Sequence, residues 1–271
     1  MAWVRRELDD LGISPLKRFG QHFLVDTVIR DQLVDIARLS TDDTVLEVGP
    51  GLGFVTAKLA TAANHLIAVE KDHMLANHLR KKFFSTRNVE VVEGDALTFP
   101  IPAGAKIVSS PPYNISSKLT LRIIDSEFKI ACLLLQEDFV RRLTASNGSR
   151  DYGRITVMLQ SKAEAKLIKK VPKNCFYPKP RVDSALATIT PKSSSIEVKD
   201  HKIFEELVRN LFTQRRRKLR GVLNRYLTSK YALQKDRILA QVEQTDKRVY
   251  ELSPNEFIRL SNTIADALDK S

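Results

Sequence analysis

The sequence predicts an α/β chain: an open, mostly parallel sheet alternating with helices, ending in an antiparallel strand, followed by a small all-helical unit. Three observations predict it. The apolar run Thr44-Val45-Leu46-Glu47-Val48 breaks into Gly49-Pro50-Gly51-Leu52-Gly53 and resumes at helical spacing from Phe54, as in the first βα unit of a nucleotide-binding sheet. Further apolar runs then end on polar or glycine-bearing residues, where ligands sit in open α/β sheets. Beyond Lys192 only helical periodicity is found, so no strand is expected there.

Composition narrows the class. The 271 residues suffice for one large domain and one small one. With 43% hydrophobic and 28% charged residues, an ordinary globular core is expected. No apolar run approaches the ~20 residues that span a bilayer, and the start, Met1 to Glu7, lacks the apolar core of a secretory signal. A cytoplasmic monomer with no membrane partner is expected. Cys132 and Cys175 stand far apart and read as small apolar residues of a reducing compartment. The five histidines form no H-E-x-x-H pattern, so no metal is expected. A net charge of +12 favours a polyanion partner, because neutralised phosphates release counterions.

In chain order, Pro15 to Leu24 mixes aromatics, cations and a glycine without a period; its two phenylalanines need burial over something. Val28 to Leu39 has helical spacing, with Asp26 or Thr27 as cap. After the glycine turn and the helix Phe54 to Ala63, the strand Leu66 to Val69 ends on Glu70. That acid stands about 20 residues beyond Gly49, the offset of an acid that binds ribose hydroxyls. The strand Val89 to Val92 ends at Glu93-Gly94-Asp95-Ala96, and Ala105 to Val108 leads into Ser109-Ser110-Pro111-Pro112-Tyr113-Asn114. A buried strand over Ile130 to Leu135 precedes helices over 137–145 and 152–162. Lys166 to Val171 and Ala185 to Thr190 form a last strand pair, around the proline-stiffened loop Phe176 to Val182. Lys192 to Ser195 marks the boundary between domains 1–191 and 192–271. Beyond it, Phe204, Leu207, Val208, Leu211 and Phe212 make one apolar stripe, and Ser253 to Glu256 is a capping box opening a helix to Leu268. Arg215-Arg216-Arg217-Lys218 is placed within a helix, where it serves equally as a solvated face or a phosphate-binding one.

The Pro-Pro-Tyr stretch holds the chemistry. Two prolines fix φ and remove two N–H donors, freeing the carbonyls of Ser110 and Pro111 to face a cleft beside the Tyr113 ring. Rigid acceptors next to an aromatic plate suit a planar ring gripped by its exocyclic amine. An NAD-dependent dehydrogenase would use the glycine turn and Glu70, but it leaves Asp95 and Pro-Pro-Tyr without a task. A methyl-donor site uses them all: Glu70 for ribose, Asp95 for adenine, Gly49 and Gly51 for the methionine part.

The chain also resembles the small-subunit ribosomal RNA adenine N6,N6-dimethyltransferases, whose cousins are the erythromycin-resistance rRNA methyltransferases. The resemblance rests on Phe19 to Leu24, Glu47 to Gly53, Gly94 to Ala96, Pro112 to Ser116, Phe176 to Ser184 and Arg215 to Leu219. It implies a Rossmann-like methyltransferase sheet, S-adenosylmethionine as cofactor and small-subunit ribosomal RNA, or its assembling particle, as partner. By resemblance His22, Leu24, Gly49, Glu70, Asp95 and Ser110 bind the cofactor, with Gln21, Gly51 and Ala96 beside them. Ser110, Pro111 and Tyr113 hold the target amine, Phe176 covers the other face of the base, and Arg215 to Lys218 bind RNA. Where the family has Asn-Leu-Pro-Tyr, this chain has Ser110-Pro111-Pro112-Tyr113, which also looks like the motif of cytosine amine methyltransferases. A non-catalytic RNA-binding assembly factor on the same fold is the rival of another class.

Overall fold

The computed structural model describes residues 2–14, 20–193, 196–242 and 246–269. Phe19 of the opening motif and Ser194 and Ser195 of the expected linker lie outside the described residues. Strands are β1 (Phe23–Leu24), β2 (Thr44–Val48), β3 (His65–Glu70), β4 (Val89–Glu93), β5 (Ala105–Ser109), β6 (Phe128–Gln136), β7 (Ala163–Val171), β8 (Phe176–Tyr177) and β9 (Ser184–Pro191). Helices are α1 (Ala2–Asp10), α2 (Thr27–Asp35), α3 (Phe54–Leu59), α4 (His73–Lys82), α5 (Ser116–Ile124), α6 (Glu137–Leu143), α7 (Arg154–Gln160), α8 (His201–Phe212), α9 (Leu219–Lys230), α10 (Lys235–Gln241) and α11 (Pro254–Asp269).

The chain divides into two compact units, Met1–Val140 with Glu164–Pro191, and Arg141–Ala163 with Lys192–Ser271. The first holds a seven-stranded sheet in the order β4-β3-β2-β5-β6-β9-β7. β2 pairs in parallel with both β3 and β5, so the order reverses there and opens a crevice at the strand ends. β9 runs antiparallel to β6, as the expected fold class requires. Central strands read as continuous apolar runs because both faces are covered: Val45, Leu46 and Val48 are buried, as are Leu66 to Val69. The edge strand β7 instead exposes Lys169 and Lys170, charges that discourage pairing with another chain. A separate two-stranded pair, β1 with β8, sets Phe23 opposite Tyr177 and Leu24 opposite Phe176. Phe23 of the opening motif thereby meets the proline loop. Asp26 caps α2 through Ile29 N, and Asp72 caps α4 through Met74 N and Leu75 N.

Two expectations are corrected in the second unit. Residues 141–163 pack there, not with domain 1–191. The Tyr152 hydroxyl donates to the Leu252 carbonyl at 2.7 Å, its ring meets Phe212 at 6.0 Å, and Gly148 N donates to Tyr250 O at 2.7 Å. Arg215 to Lys218 form a turn between α8 and α9 rather than part of a helix. Their backbone pairs with a distant segment instead: Val249 N donates to Arg217 O and Tyr250 N to Arg215 O, both at 3.1 Å. The apolar stripe of α8 is buried at Phe204, Leu207, Val208 and Leu211. The α11 capping box is present, with Ser253 N donating to Glu256 Oε2 at 2.7 Å and Glu256 N to Ser253 Oγ at 3.3 Å.

Candidate active site

The ends of β2, β3, β4 and β5 surround one cavity of about 250 Å³. Gln21, His22, Leu24, Gly49, Gly51, Glu70, Asp95, Ala96, Ser110, Pro111 and Tyr113 all line it. Eleven residues spread over 93 positions thus converge: those from Gly49 to Tyr113 lie at or just beyond the ends of β2, β3, β4 and β5, while Gln21, His22 and Leu24 come from the segment that carries β1.

The glycine turn leaves β2 in the left-handed region, with φ of 67° at Gly49 and 59° at Gly51. A Cβ on Gly49 would stand 2.9 Å from Pro112 Cδ, and one on Gly51 2.8 Å from the Phe23 ring. These glycines are therefore needed for packing within the protein as well as for conformation. Ser109 Oγ, buried, donates to Val48 O at 2.5 Å and ties the Pro-Pro-Tyr stretch to the same turn.

Glu70, 6% exposed, has a second task beyond any ligand. Its Oε2 accepts from Gly51 N at 3.0 Å and its Oε1 from Asp72 N at 2.9 Å. Burial raises its pKa, and these backbone bonds oppose the rise. Asp95 Oδ2 lies 2.8 Å from Lys71 Nζ, and its Oδ1 accepts from Leu97 N at 2.9 Å. The Lys71 bond holds the Asp95 carboxyl below its ordinary range, so Asp95 is an ionised acceptor at neutral pH. Glu47 is 2% exposed and lines the cavity, and its Oε2 has no hydrogen-bond partner among the described residues. Burial, with the nearby charge of Glu70 adding to it, pushes its pKa up to about 8.

Tyr113 is fixed on two sides. Its hydroxyl and Ser184 Oγ are 2.5 Å apart, and the His22 ring stacks on it at 5.5 Å and 28°. His22 is itself held by a 2.6 Å bond from Nδ1 to the Pro178 carbonyl. Burial pushes the Tyr113 phenol up to about 12. Among the described residues no hydrogen bond occupies the carbonyl of Ser110 or Pro111.

Phe176 departs from its expected place. It is 0% exposed, does not line the cavity, and meets Tyr113 edge-on at 6.4 Å and 69°. Its pairing with Leu24 draws it into the core of the first unit, so the two rings do not form a parallel slot here. In the second unit, Arg215 donates to the carbonyls of Ser149 and Arg150 at 3.1 Å each. Arg216, Arg217 and Lys218 are exposed and, with Gly221, Arg225 and Arg248, line a basic hollow. Sequence reasoning missed Trp3, Glu47, Phe54 and Lys71 in the cavity wall. Only Glu47 carried a signal, an acid within the apolar β2.

Comparison with known proteins identifies the family. The model of the family described as "Ribosomal RNA adenine dimethylase" matches residues 15–266. A probable ribosomal RNA small subunit methyltransferase A of Pyrococcus abyssi (strain GE5 / Orsay) is 39% identical over 252 residues, covering 92% of this chain and 91% of that protein. A protein of the same description from Methanosarcina acetivorans is 40% identical, covering 92% and 93%. A dimethyladenosine transferase from Plasmodium falciparum superposes with a TM-score of 0.81 at 26% identity, over 91% of this chain and 98% of that one. The 23S rRNA methyltransferase ErmE gives 0.67 at 30% identity, over 90% and 99%. The chain belongs to the ribosomal RNA adenine dimethylase family, whose members are S-adenosylmethionine-dependent methyltransferases.

Proposed function

We propose that this protein dimethylates the N6 amine of adenosines in small-subunit ribosomal RNA during ribosome biogenesis. One observation carries the reading: Ser110, Pro111 and Tyr113 open on the same cavity as Glu70 and Asp95. A base gripped by the first set faces a cofactor held by the second.

The residues present fit S-adenosylmethionine. The turn carries no side chain at Gly49 and Gly51, Glu70 and Asp95 are acceptors for hydroxyls and a ring amine, and Glu47 offers a carboxyl oxygen without a partner among the described residues. A buried oxygen of that kind calls for a cationic or donor guest. When bound, S-adenosylmethionine supplies an electrophilic methyl group on a sulfonium, a leaving group that needs no acid.

The chain's own residues then have three tasks. Glu70, fixed by two backbone N–H groups, holds the ribose, and Asp95 holds the adenine of the cofactor. Ser110 Oγ and the Pro111 carbonyl accept from the target amine and favour the pyramidal nitrogen reached in the transition state, which is differential binding. Tyr113 supplies the plate for a base taken out of its stack. Its phenol stays protonated at neutral pH, so it orients and does not act as a base. Holding acceptor and donor in line contributes up to ~7–11 kcal/mol to lowering the barrier.

RNA affinity falls in this reading to Arg216, Arg217 and Lys218, since the Arg215 guanidinium is engaged with backbone carbonyls. In this role the protein works as a monomer in the cytoplasm; among the described residues no helix is long and apolar enough to cross a membrane. The test is transfer of labelled methyl from S-adenosylmethionine to small-subunit particles lacking the modification. Cofactor binding without transfer would leave a non-catalytic assembly factor.

A further inference from the structure

The helix α1 precedes residues 15–266, the stretch that the family model matches, and yet it reaches the cavity. Trp3, the only tryptophan of the chain, lines the cavity wall and is 37% exposed. Its ring meets that of Phe54, the first residue after the glycine turn, at 5.1 Å and 37°. The helix is docked firmly. Val4 and Leu8 are buried and cluster with Leu52 of the glycine turn and Leu75 of α4. Glu7 Oε1 lies 3.0 Å from Lys82 Nζ and 3.0 Å from His78 Nε2, both on α4. Lys82 Nζ in turn donates to the Leu52 carbonyl at 2.8 Å. The helix is thus fastened to the turn that the cofactor must approach and to the helix that follows Glu70.

We propose that Trp3 is a positioning residue for the methyl donor: its indole and the Phe54 ring form an apolar wall that shields the bound cofactor from water. This rests on the reading of the cavity as the S-adenosylmethionine site. An indole that is partly exposed in the free cavity loses water when a guest lies against it. Covering such a face favours the bound state through the apolar area removed from water. Donor and product present similar surfaces to this wall, so both depend on it. Glu7 acts one step further out, by keeping α1 in place.

The test uses the full chain. Because Trp3 is the sole tryptophan, its emission can be excited selectively while S-adenosylmethionine or S-adenosylhomocysteine is titrated in. The expected result is a saturable change in emission with the midpoint that calorimetry gives for the same ligand. Trp3→Ala is expected to raise both dissociation constants about tenfold, the effect of removing a modest apolar wall. Trp3→Phe should restore most of the affinity, and Glu7→Gln should weaken binding while the indole is retained. Urea unfolding of each free variant shows whether it is folded; Trp3→Phe and the wild-type emission carry the test if Trp3→Ala is not. Fixed emission under saturating ligand, with binding heat measured, overturns the role of Trp3 and leaves the cofactor site standing. So does a Trp3→Ala variant of unchanged affinity. No binding heat with the wild-type protein overturns both.

Discussion

Glu47 is a carboxyl buried in the cavity wall, and replacing it with glutamine isolates what its ionisation does to the fold. The folded protein holds this acid at about 8 against an ordinary 4.5, chiefly through burial. On raising the pH from 4.5, the unfolded chain therefore loses the proton first while the folded chain keeps it. The unfolded state binds fewer protons across that window, so stability falls as pH rises. A tenfold change in acidity is worth about 1.4 kcal/mol. The loss across this window is then on the order of 5 kcal/mol, full stability being present below the lower value. Glu47→Gln keeps the shape and never ionises. Urea unfolding of both proteins at about pH 5 and about pH 8 gives the difference directly, with contributions common to both cancelling. Wild type should lose several kcal/mol relative to the variant on going to the higher pH. An equal offset at both pH values would refute the assignment of a buried, protonated Glu47. A carboxyl so placed should also ionise when a cation enters, so donor binding is expected to release a proton, seen as calorimetric heat that varies with the buffer.

Two further outcomes follow from the site and the basic turn. Ser110→Ala should lower kcat by about tenfold to a hundredfold with little change in KM, the cost of one hydrogen bond worth ~1–3 kcal/mol in the transition state. Steady-state kinetics on small-subunit particles measure it, with Ser110→Asn expected to remain active. Neutralising Arg216, Arg217 and Lys218 together should weaken RNA binding and reduce the log–log salt slope by roughly one counterion for each phosphate no longer neutralised; a slope equal to that of wild type would assign these cations to solvent.

The strand ends were legible because each is carried by a contiguous stretch. A run such as Val48 to Gly53 or Val108 to Tyr113 states in its own residues where the strand stops and which groups it leaves at the crevice. The cavity that gathers these ends therefore holds no surprise among the residues those stretches contain. What escaped depends on neighbours distant in sequence. Lys71 reaches Asp95 across two neighbouring strand ends, and nothing local marks it. Phe176 lies in a recognisable motif, but its pairing with Leu24 turns the ring into the core. Residues 141–163 follow a strand and read as its continuation, whereas Tyr152 and Gly148 bond to carbonyls about 100 residues later. α1 and α4 carry no glycine or proline signature, and their value to the site lies in Trp3 and in the Lys82 bond to Leu52. Arg215 to Lys218 kept a helical apolar frame on either side, while backbone pairing with 247–250 made them a turn.

The central claim is that Ser110, Pro111 and Tyr113 present an adenosine amine to a methyl donor held by Glu70 and Asp95. The most direct measurement is mass analysis of nucleosides digested from small-subunit particles after incubation with the protein and labelled S-adenosylmethionine, using particles that lack the modification beforehand. The account predicts N6,N6-dimethyladenosine carrying the label, with Tyr113→Ala giving none. Labelled methylcytidine with no methylated adenosine would contradict it, and would mean that Ser-Pro-Pro-Tyr selects the base against the rest of the family's motifs.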